Sequence, residues 1–241
     1  MSPGQRLPEP SPRPLSDYPR PSVAVDTAVL TVPVAENPEP ATSTPFGGLQ
    51  VLLVHRAVAG RDEWLLPGTF LHEGERLSDA VLRSLRDKAG IQGLSPRQLR
   101  VFDDPDRDDR GWVLSVAHVD TVPWERIASA AGGRDPSTRP PTRLSPVADA
   151  VGLPFDHDAI VAHAVDVLRA DYLEHPDPAA LLPEPFTLRQ LQQIHEAVLG
   201  RALAKDSFRR RMEPLLEPVG ALSSGSVGKP ARLFARKRSS E

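Results

Sequence analysis

The segment Leu66–Ile91 reads LPGTFLHEGERLSDAVLRSLRDKAGI, and it decides the fold of the first half of the chain. A proline–glycine pair, Pro67–Gly68, opens the segment as a turn. The apolar residues that follow recur at helical spacing and are Leu77, Ala80, Val81, Leu85 and Ala89. Gly90 comes next, where a glycine C-cap is favoured. The pattern therefore predicts a loop, a helix over Leu77–Ala89 and a second loop.

Extended segments surround this helix. Val23–Val32 alternates β-branched residues and Leu49–Ala57 is a more apolar run, so both are predicted strands, with the loop Glu36–Gly48 between them. Shorter strands are predicted at Trp64–Leu66, Arg100–Phe102 and Trp112–Val119.

A long helix is predicted after these strands. Phe155–His175 is amphipathic, and Asp156 or Asp158 lies near its N-terminus. The segment Gly132–Arg143, rich in glycine and proline, is predicted to be a flexible insertion. Strands and helices alternate up to this point, which is typical of an α/β arrangement.

Composition divides the chain further. Residues 1–21 are rich in Pro, Ser and Arg and are predicted to be disordered, and 22–175 form the first domain. The proline-rich stretch Pro176–Pro185 is predicted to be a linker, and 186–238 a second, mainly helical domain.

The bulk composition excludes several classes of protein. The 241 residues include no cysteine, so there is no disulfide framework, thiolate metal site or cysteine nucleophile. No apolar run approaches the roughly 20 residues that a membrane-spanning helix needs. The N-terminus lacks the apolar region of a secretory signal, so a cytoplasmic location is expected.

Charge is distributed unevenly along the chain. Residues 201–241 contain ten Lys or Arg and four Asp or Glu, a net charge of +6 within a chain whose total is −3. The first 200 residues therefore carry −9. An acidic body with a basic end is typical of a regulator with a DNA-binding module, although a basic tail can also be a solvated end alone.

The segment Leu66–Ile91 resembles a Nudix box, the loop–helix–loop by which the Nudix family binds diphosphates through a divalent metal. The frame of that motif is present at Pro67, Gly68, Gly74, Glu75, Arg83, Leu85, Gly90 and Ile91.

The metal-binding positions of the box differ from the active pattern. An active box places three glutamates at i, i+3 and i+4 on one helix face, where they hold Mg²⁺ or Mn²⁺ against a pyrophosphate. Here Ser84, Asp87 and Lys88 stand at those positions, and Thr69 replaces the second glycine of the motif. The resemblance thus implies a diphosphate-binding domain with no metal and no catalytic residue.

The segment DDPDRDDRG, Asp103–Gly111, is a charged run of a kind that is usually a solvated turn. With the following strand it resembles a segment of Nudix domains that handle ADP-ribose, and FDHDAI, Phe155–Ile160, resembles another. Arginines bind diphosphate oxygens in pairs, and aspartates accept from ribose hydroxyls. The resemblance implies Arg107, Asp108 and Arg110 as effector-binding residues. Three further candidates, which a structural role explains more readily, are Arg56, Phe70 and Arg83.

The C-terminal region has its own pattern. Thr187 is the predicted N-cap of a helix that ends at Gly200. A second helix, DSFRRRME, is predicted with Asp206 as its cap and Pro214 as its end. Leu222–Lys237 is a predicted β-ribbon with a basic tip. This succession indicates a winged helix-turn-helix, although a helical hairpin for protein contacts would leave a similar pattern.

The run FTLRQLQQIHEAVLGRALAKDSFRRRM with GKPARLF resembles the C-terminal domain of the Nudix-related transcriptional regulators, the NrtR family. The resemblance extends over about residues 23–236, with the N-terminal extension, the insertion at Gly132–Arg143 and Pro214 as departures. It implies an α/β (α+β) protein: a Nudix-like α/β/α sandwich followed by a winged helix-turn-helix. The implied function is that of a homodimeric repressor of NAD biosynthesis or salvage genes, without a cofactor, whose effector is ADP-ribose or a related nucleotide.

The implied partner is a palindromic operator of double-stranded DNA. The DNA-binding candidates lie in the second helix, in the connection before it and in the ribbon: Lys205, Ser207, Arg209, Arg210, Arg211, Lys229 and Arg232. Ser207 and Arg210 point away from the apolar stripe and are predicted to face the bases. The competing hypothesis is an active Nudix pyrophosphatase with an accessory C-terminal module.

Overall fold

The computed structural model describes residues 13–34, 46–58, 61–131, 140–222 and 231–237. The strands are β1 Ser22–Thr31, β2 Gln50–Val58, β3 Arg61–Leu65, β4 Gly68–Phe70, β5 Arg97–Phe102, β6 Val113–Thr121, β7 Thr142–Pro146, β8 Phe186–Thr187, β9 Leu216–Leu222 and β10 Arg232–Arg236. The helices are α1 Leu77–Ser84, α2 Trp124–Ala131, α3 His157–Glu174, α4 Leu188–Leu199 and α5 Lys205–Met212. Among the described residues, no helix has both the length and the apolar character needed to cross a membrane.

Strand β1 is the centre of a seven-stranded mixed sheet. The strand order is β3-β2-β1-β6-β5, and β4 pairs with β1 while β7 pairs with β2. β1 runs parallel to β6 from Ser22 opposite Val113 to Leu30 opposite Thr121, and antiparallel to β2 and β4. β1 is central because its apolar residues are buried on both faces of the sheet.

Alternation along β1 divides the core into two layers. Val25 and Val29 face the layer formed with α1 and α2, whereas Ala28 and Leu30 face the layer formed with α3. Helices on both faces of a mixed sheet give the predicted α/β/α sandwich.

The box region has the predicted loop–helix–loop form. α1 begins at Leu77, and its last turn, Leu85–Ala89, widens into a single π-helical turn rather than continuing as the predicted α-helix. Gly90 then adopts a left-handed conformation with φ of 71°, as expected of a glycine C-cap.

Several elements of the first domain were not predicted. β4 and α2 lie in segments for which no element was expected, and β7 occupies the end of the predicted insertion Gly132–Arg143. Residues 132–139 of that insertion lie outside the described residues, as do 1–12 of the predicted disordered terminus and 36–45 of the predicted loop. Within residues 13–21, Leu15–Asp17 forms an exposed 3-10 turn.

The C-terminal domain packs α4 and α5 against a three-stranded sheet of order β8-β10-β9. Thr187 caps α4 as predicted, in a reciprocal arrangement with Gln190, and Gly200 ends that helix with φ of 68°. The prediction of Asp206 as the cap of α5 is wrong, because the helix begins one residue earlier with Ala204 as N-cap. The ribbon also begins earlier than predicted, at Leu216, and 223–230 lie outside the described residues.

The stretch Pro176–Pro185, predicted to be a linker, is packed rather than extended. Asp177, Leu181 and Leu182 are buried, and the two leucines belong to a core cluster that runs from the sheet through α3 into the winged helix. The correction has a physical cause: an uninterrupted apolar core across this stretch holds both domains together.

Candidate functional site

A pocket of about 280 Å³ lies where β1, β2, β4, the loop before β6 and the N-terminus of α3 meet. It brings together five of the six predicted effector residues, from three separate segments of the chain: Arg56, Phe70, Arg107, Asp108 and Arg110. The sixth, Arg83, does not line it. Further lining residues that the sequence did not single out as effector-binding include Asp26, Lys88, Phe155 and His157.

The pocket carries an excess of positive charge. Its cations are Arg56, Lys88, Arg107 and Arg110, and its carboxylates are Asp26 and Asp108. Such a concave, positively charged surface with apolar walls attracts anionic ligands.

Asp26 forms the floor of the pocket. Ser115 Oγ donates to its Oδ2 at 2.6 Å, and His157 Nε2 lies 3.3 Å from its Oδ1. Leu66 N–H donates to His157 Nδ1, so the imidazole proton is on Nε2, facing the carboxylate. Burial alone would raise the pKa of Asp26, but His157, Ser115 and Arg107 together lower it. Asp26 is therefore an ionised group whose oxygens are already engaged.

Asp26 also explains the glycine of the box. A Cβ on Gly68 would collide with the Asp26 carboxylate, because β4 passes directly against β1 at this point. Only glycine fits there, which is why the proline–glycine turn of the motif is retained.

Arg107 is held in place from behind. Its side chain is 2% exposed, and its guanidinium donates to both oxygens of Asp156, at 3.1 and 2.7 Å, and to the carbonyl of Phe155 at 2.9 Å. The structure thus gives Arg107 a fixed place in the pocket wall, joined to the N-terminus of α3.

Arg110 is the more accessible arginine. Asp108 accepts from its Nε at 2.8 Å and from its Nη2 at 2.6 Å, and these bonds lower the pKa of Asp108. The guanidinium lies 5.3 Å from the centre of the Phe70 ring and 5.1 Å from that of Phe155. Arg56 lies over the same Phe155 ring at 4.8 Å. Two cations on one aromatic ring form a pre-arranged anion-binding surface.

Arg83 holds the box together instead of lining the pocket. It donates to both Glu75 oxygens, at 2.7 and 2.8 Å, to Thr69 Oγ1 and to the Phe70 carbonyl. The hydrogen bonds from Arg83, with one from the His72 backbone, lower the pKa of Glu75 to about 2. These contacts fix the loop before α1 to the helix.

The three altered box positions do not fit a divalent metal. Ser84 is buried in the core side of α1, Asp87 is half exposed and bonded to Arg86 at 2.8 Å, and the Lys88 ammonium donates to the Gly68 carbonyl within the pocket. Among the described residues, no three or more histidine and carboxylate side chains are grouped so as to hold a metal ion.

A second candidate site is the exposed face of α5. Phe208 and Met212 are buried as the helical pattern predicts, which leaves Lys205, Ser207, Arg209, Arg210 and Arg211 exposed. Arg209 donates to Glu213 at 2.7 Å, and Arg232 from β10 lies 3.9 Å from the same carboxylate.

Arg210 and Arg211 are placed differently from Arg209. Arg210 contacts Ser207 Oγ at 3.5 Å, and within the described ranges neither Arg210 nor Arg211 has a carboxylate at ion-pairing distance. The predicted contact residue Lys229 lies outside the described residues. The exposed cations make this face suitable for a polyanion.

The fold and these two sites define a class of protein: a regulator in which a Nudix-type ligand domain is joined to a DNA-binding winged helix. The model of the NUDIX domain matches residues 43–138, and that of the NrtR DNA-binding winged helix domain matches residues 178–235. The first match lies in the N-terminal domain of the fold and the second covers the C-terminal domain.

Three known proteins are similar to this chain. The ADPR responsive transcriptional repressor NtrR of Acinetobacter baylyi is 30% identical over 200 residues, 82% of this chain and 74% of that protein. The crystal structure of Shewanella oneidensis NrtR complexed with a 27mer DNA is 31% identical, with a TM-score of 0.65 over 89% of this chain and 93% of that chain. An ADP-ribose pyrophosphatase of Methanocaldococcus jannaschii is 37% identical over 54 residues, 22% of this chain and 32% of that protein. The chain belongs to the NrtR family of transcriptional regulators.

Proposed function

We propose that this chain is a transcriptional repressor of NAD metabolism genes that releases its operator when ADP-ribose or a related nucleotide enters the pocket beneath Phe70 and Phe155. The observation that carries the proposal is the coexistence, in one chain, of an arginine-rich pocket and a winged helix with an exposed basic face. The Acinetobacter relative is named for a response to ADP-ribose, and the Shewanella relative was solved with DNA.

The pocket suits the chemistry of ADP-ribose. Its diphosphate is a bidentate anion for guanidinium groups, and Arg56 and Arg110 present two of them over Phe155. The half-exposed ring of Phe70 offers an apolar surface for a planar base. We propose Arg107 and Asp108 as supports that position Arg110 and the pocket wall, and Arg83 as a structural residue of the box.

We further propose that the chain is not a hydrolase. Hydrolysis in this fold depends on a metal held by three carboxylates, and Ser84, Asp87 and Lys88 supply one carboxylate and one cation in their place. The short match to an ADP-ribose pyrophosphatase supports a shared ligand class rather than a shared reaction, because it spans only 54 residues.

Incubation of the intact protein with ADP-ribose and Mg²⁺ or Mn²⁺, followed by chromatography of the products, tests the absence of hydrolysis. Turnover above roughly 1 s⁻¹, the low end of ordinary enzymes, would overturn it and favour the pyrophosphatase hypothesis.

The DNA-binding role rests on α5 as the recognition helix, with Ser207 and Arg210 toward the bases and Lys205, Arg209, Arg211, Lys229 and Arg232 toward phosphates. We propose a homodimer on a palindromic operator, since a two-fold dimer presents two equivalent helices to two half-sites. A gel-shift titration on the DNA upstream of the protein's own gene tests this role. Retention of that DNA at concentrations that leave scrambled DNA free supports a repressor, and equal retention of both contradicts it.

A further inference from the structure

Lys88 enters the effector pocket from the last turn of the box helix. Its side chain is partly buried, it lines the pocket with Arg56 and Arg110, and its ammonium donates to the carbonyl of Gly68, twenty residues earlier in the chain. The ammonium thus lies between the box helix and the glycine turn.

The remaining groups of the pocket leave no place for a divalent cation. The Asp26 carboxylate is engaged by Ser115 and His157, and the Asp108 carboxylate by Arg110. A metal ion needs several oxygen ligands, and it would also meet the repulsion of the neighbouring ammonium and guanidinium groups.

Lys88 has donors to spare for an anion. An ammonium has three N–H donors, and within the described ranges the Gly68 carbonyl is its hydrogen-bond acceptor. Burial and the positive charges of the neighbouring arginines lower the pKa of Lys88. The charged ammonium is therefore less stable in the free protein than in water, because nearby negative charge does not fully balance it. A diphosphate in the pocket would supply that negative charge.

We propose that Lys88 is a built-in counter-cation that binds the diphosphate of the nucleotide effector directly, so that binding needs no divalent metal. This inference rests on the proposed function, since it concerns the ligand of the same pocket. In this proposal the altered box position contributes to ligand binding. The ammonium of Lys88 takes the place of a divalent metal ion, so ligand binding does not depend on the cellular Mg²⁺ concentration.

Isothermal titration calorimetry of the intact protein with ADP-ribose tests the inference. The wild-type dissociation constant is expected to agree within about twofold in EDTA and in millimolar Mg²⁺. Lys88→Met is expected to weaken binding by at least about tenfold, the loss expected for one charge-assisted hydrogen bond, and Lys88→Arg to restore much of it. The matched control is Arg86→Met, which removes an exposed cation of the same turn that is bonded to Asp87 outside the pocket.

The possible outcomes separate the two proposals. Wild-type binding that requires Mg²⁺, or Lys88→Met binding as tight as wild type, would overturn the role of Lys88 and leave the ADP-ribose sensor intact. No binding of ADP-ribose to the wild type in either buffer would overturn the sensor and the role of Lys88 together. Thermal melting and operator binding of each variant show whether it is folded, and a misfolded Lys88→Met leaves the Lys88→Arg and Mg²⁺ comparisons to decide.

Discussion

Arg110 connects the charged and aromatic parts of the pocket in one side chain. Asp108 holds one edge of its guanidinium through Nε and Nη2, and the rings of Phe70 and Phe155 lie close to it, yet half of the side chain remains exposed. A residue that is both fixed and accessible loses little side-chain entropy on binding, so it contributes efficiently to affinity.

Replacement of this side chain, Arg110→Ala, is therefore expected to weaken ADP-ribose binding by about 10- to 100-fold, as expected for loss of a charged hydrogen-bonding group. Operator binding without ligand should stay within about twofold, because the segment belongs to the sensor domain. Calorimetry and gel-shift titration measure the two affinities. Arg100→Ala, which removes an arginine that lies over Phe102 outside the pocket, is the control. Equal ligand affinity in wild type and Arg110→Ala would place the binding site elsewhere.

Among the arginines of α5, Arg210 is expected to contact bases and Arg211 to contact phosphates. Arg210→Ala should reduce operator affinity by about 1–3 kcal/mol and relax specificity at one position of each half-site, because arginine reads guanine through two hydrogen bonds. Arg211→Ala should weaken operator and scrambled DNA alike and lower the slope of log affinity against log salt by about one. Titrations on both DNAs over a salt series distinguish the effects. An equal loss on both DNAs for Arg210→Ala would assign Arg210 to the phosphates.

The segment between α3 and β8 shows what sequence patterns miss at the scale of an element. Composition predicted a linker because Pro176–Pro185 is rich in proline. Its second residue, Asp177, instead accepts from Tyr172 at 2.6 Å, from Arg236 at 2.5 Å and from the backbone of Leu181 and Leu182. Tyr172, Leu181 and Leu182 lie within five residues of Asp177, but Arg236 is 59 residues away, so the proline content of the stretch could not indicate that this aspartate is buried.

The other elements were predicted where local sequence signals were strong and missed where they were weak. The box helix and α4 were predicted well because periodicity and capping residues are local signals, as at Thr187 and Gly200. β4 is only three residues long, and β7 is five residues long and ends in a proline. Segments this short do not show the alternation that predicts a strand. Arg107, Asp108 and Arg110 were found through the family resemblance, and Arg56 and Phe70 were weaker candidates that also line the pocket. Phe155 and Lys88 were not assigned to the pocket, because the first lay in a helix motif and the second counted only as a missing carboxylate.

His195 of α4 completes the network around Asp177 and gives it a pH dependence. The Asp177 N–H donates to His195 Nε2 at 3.1 Å, and burial lowers the pKa of this fully buried imidazole to about 4 from 6.5. The unfolded chain therefore binds more protons between these values, so the contribution of neutral His195 to stability is complete above pH 6.5, decreases as the pH falls from 6.5 to 4, and is lost below pH 4.

The corresponding loss is expected to be about 3 kcal/mol in the free energy of unfolding, and His195→Gln should lack this part of the pH dependence. Chemical denaturation of wild type and His195→Gln at pH 7, 5.5 and 4.5 measures this contribution. The carboxylates are the same in both proteins, so their effect cancels when the two unfolding free energies are subtracted. The same slope in both proteins would show that His195 does not titrate in this range.

At the scale of the whole molecule, α3 joins the pocket to the winged-helix domain. Asp156 and His157 at its N-terminus contact Arg107 and Asp26 of the pocket. Tyr172 near its C-terminus donates to Asp177, which Arg236 of β10 also contacts. The 18 residues of the helix span about 27 Å. The helix therefore has one end in the pocket wall and the other packed against the winged helix.

Titration of a fluorescently labelled operator, with anisotropy as the signal and saturating ADP-ribose either present or absent, tests the central claim most directly. ADP-ribose is expected to weaken operator affinity by about 5- to 150-fold, and the operator should weaken ADP-ribose affinity by the same factor, since the coupling is reciprocal. Arg110→Ala should bind the operator and fail to respond. An operator affinity that is unchanged by ADP-ribose, under conditions where calorimetry shows the ligand bound, would contradict the account.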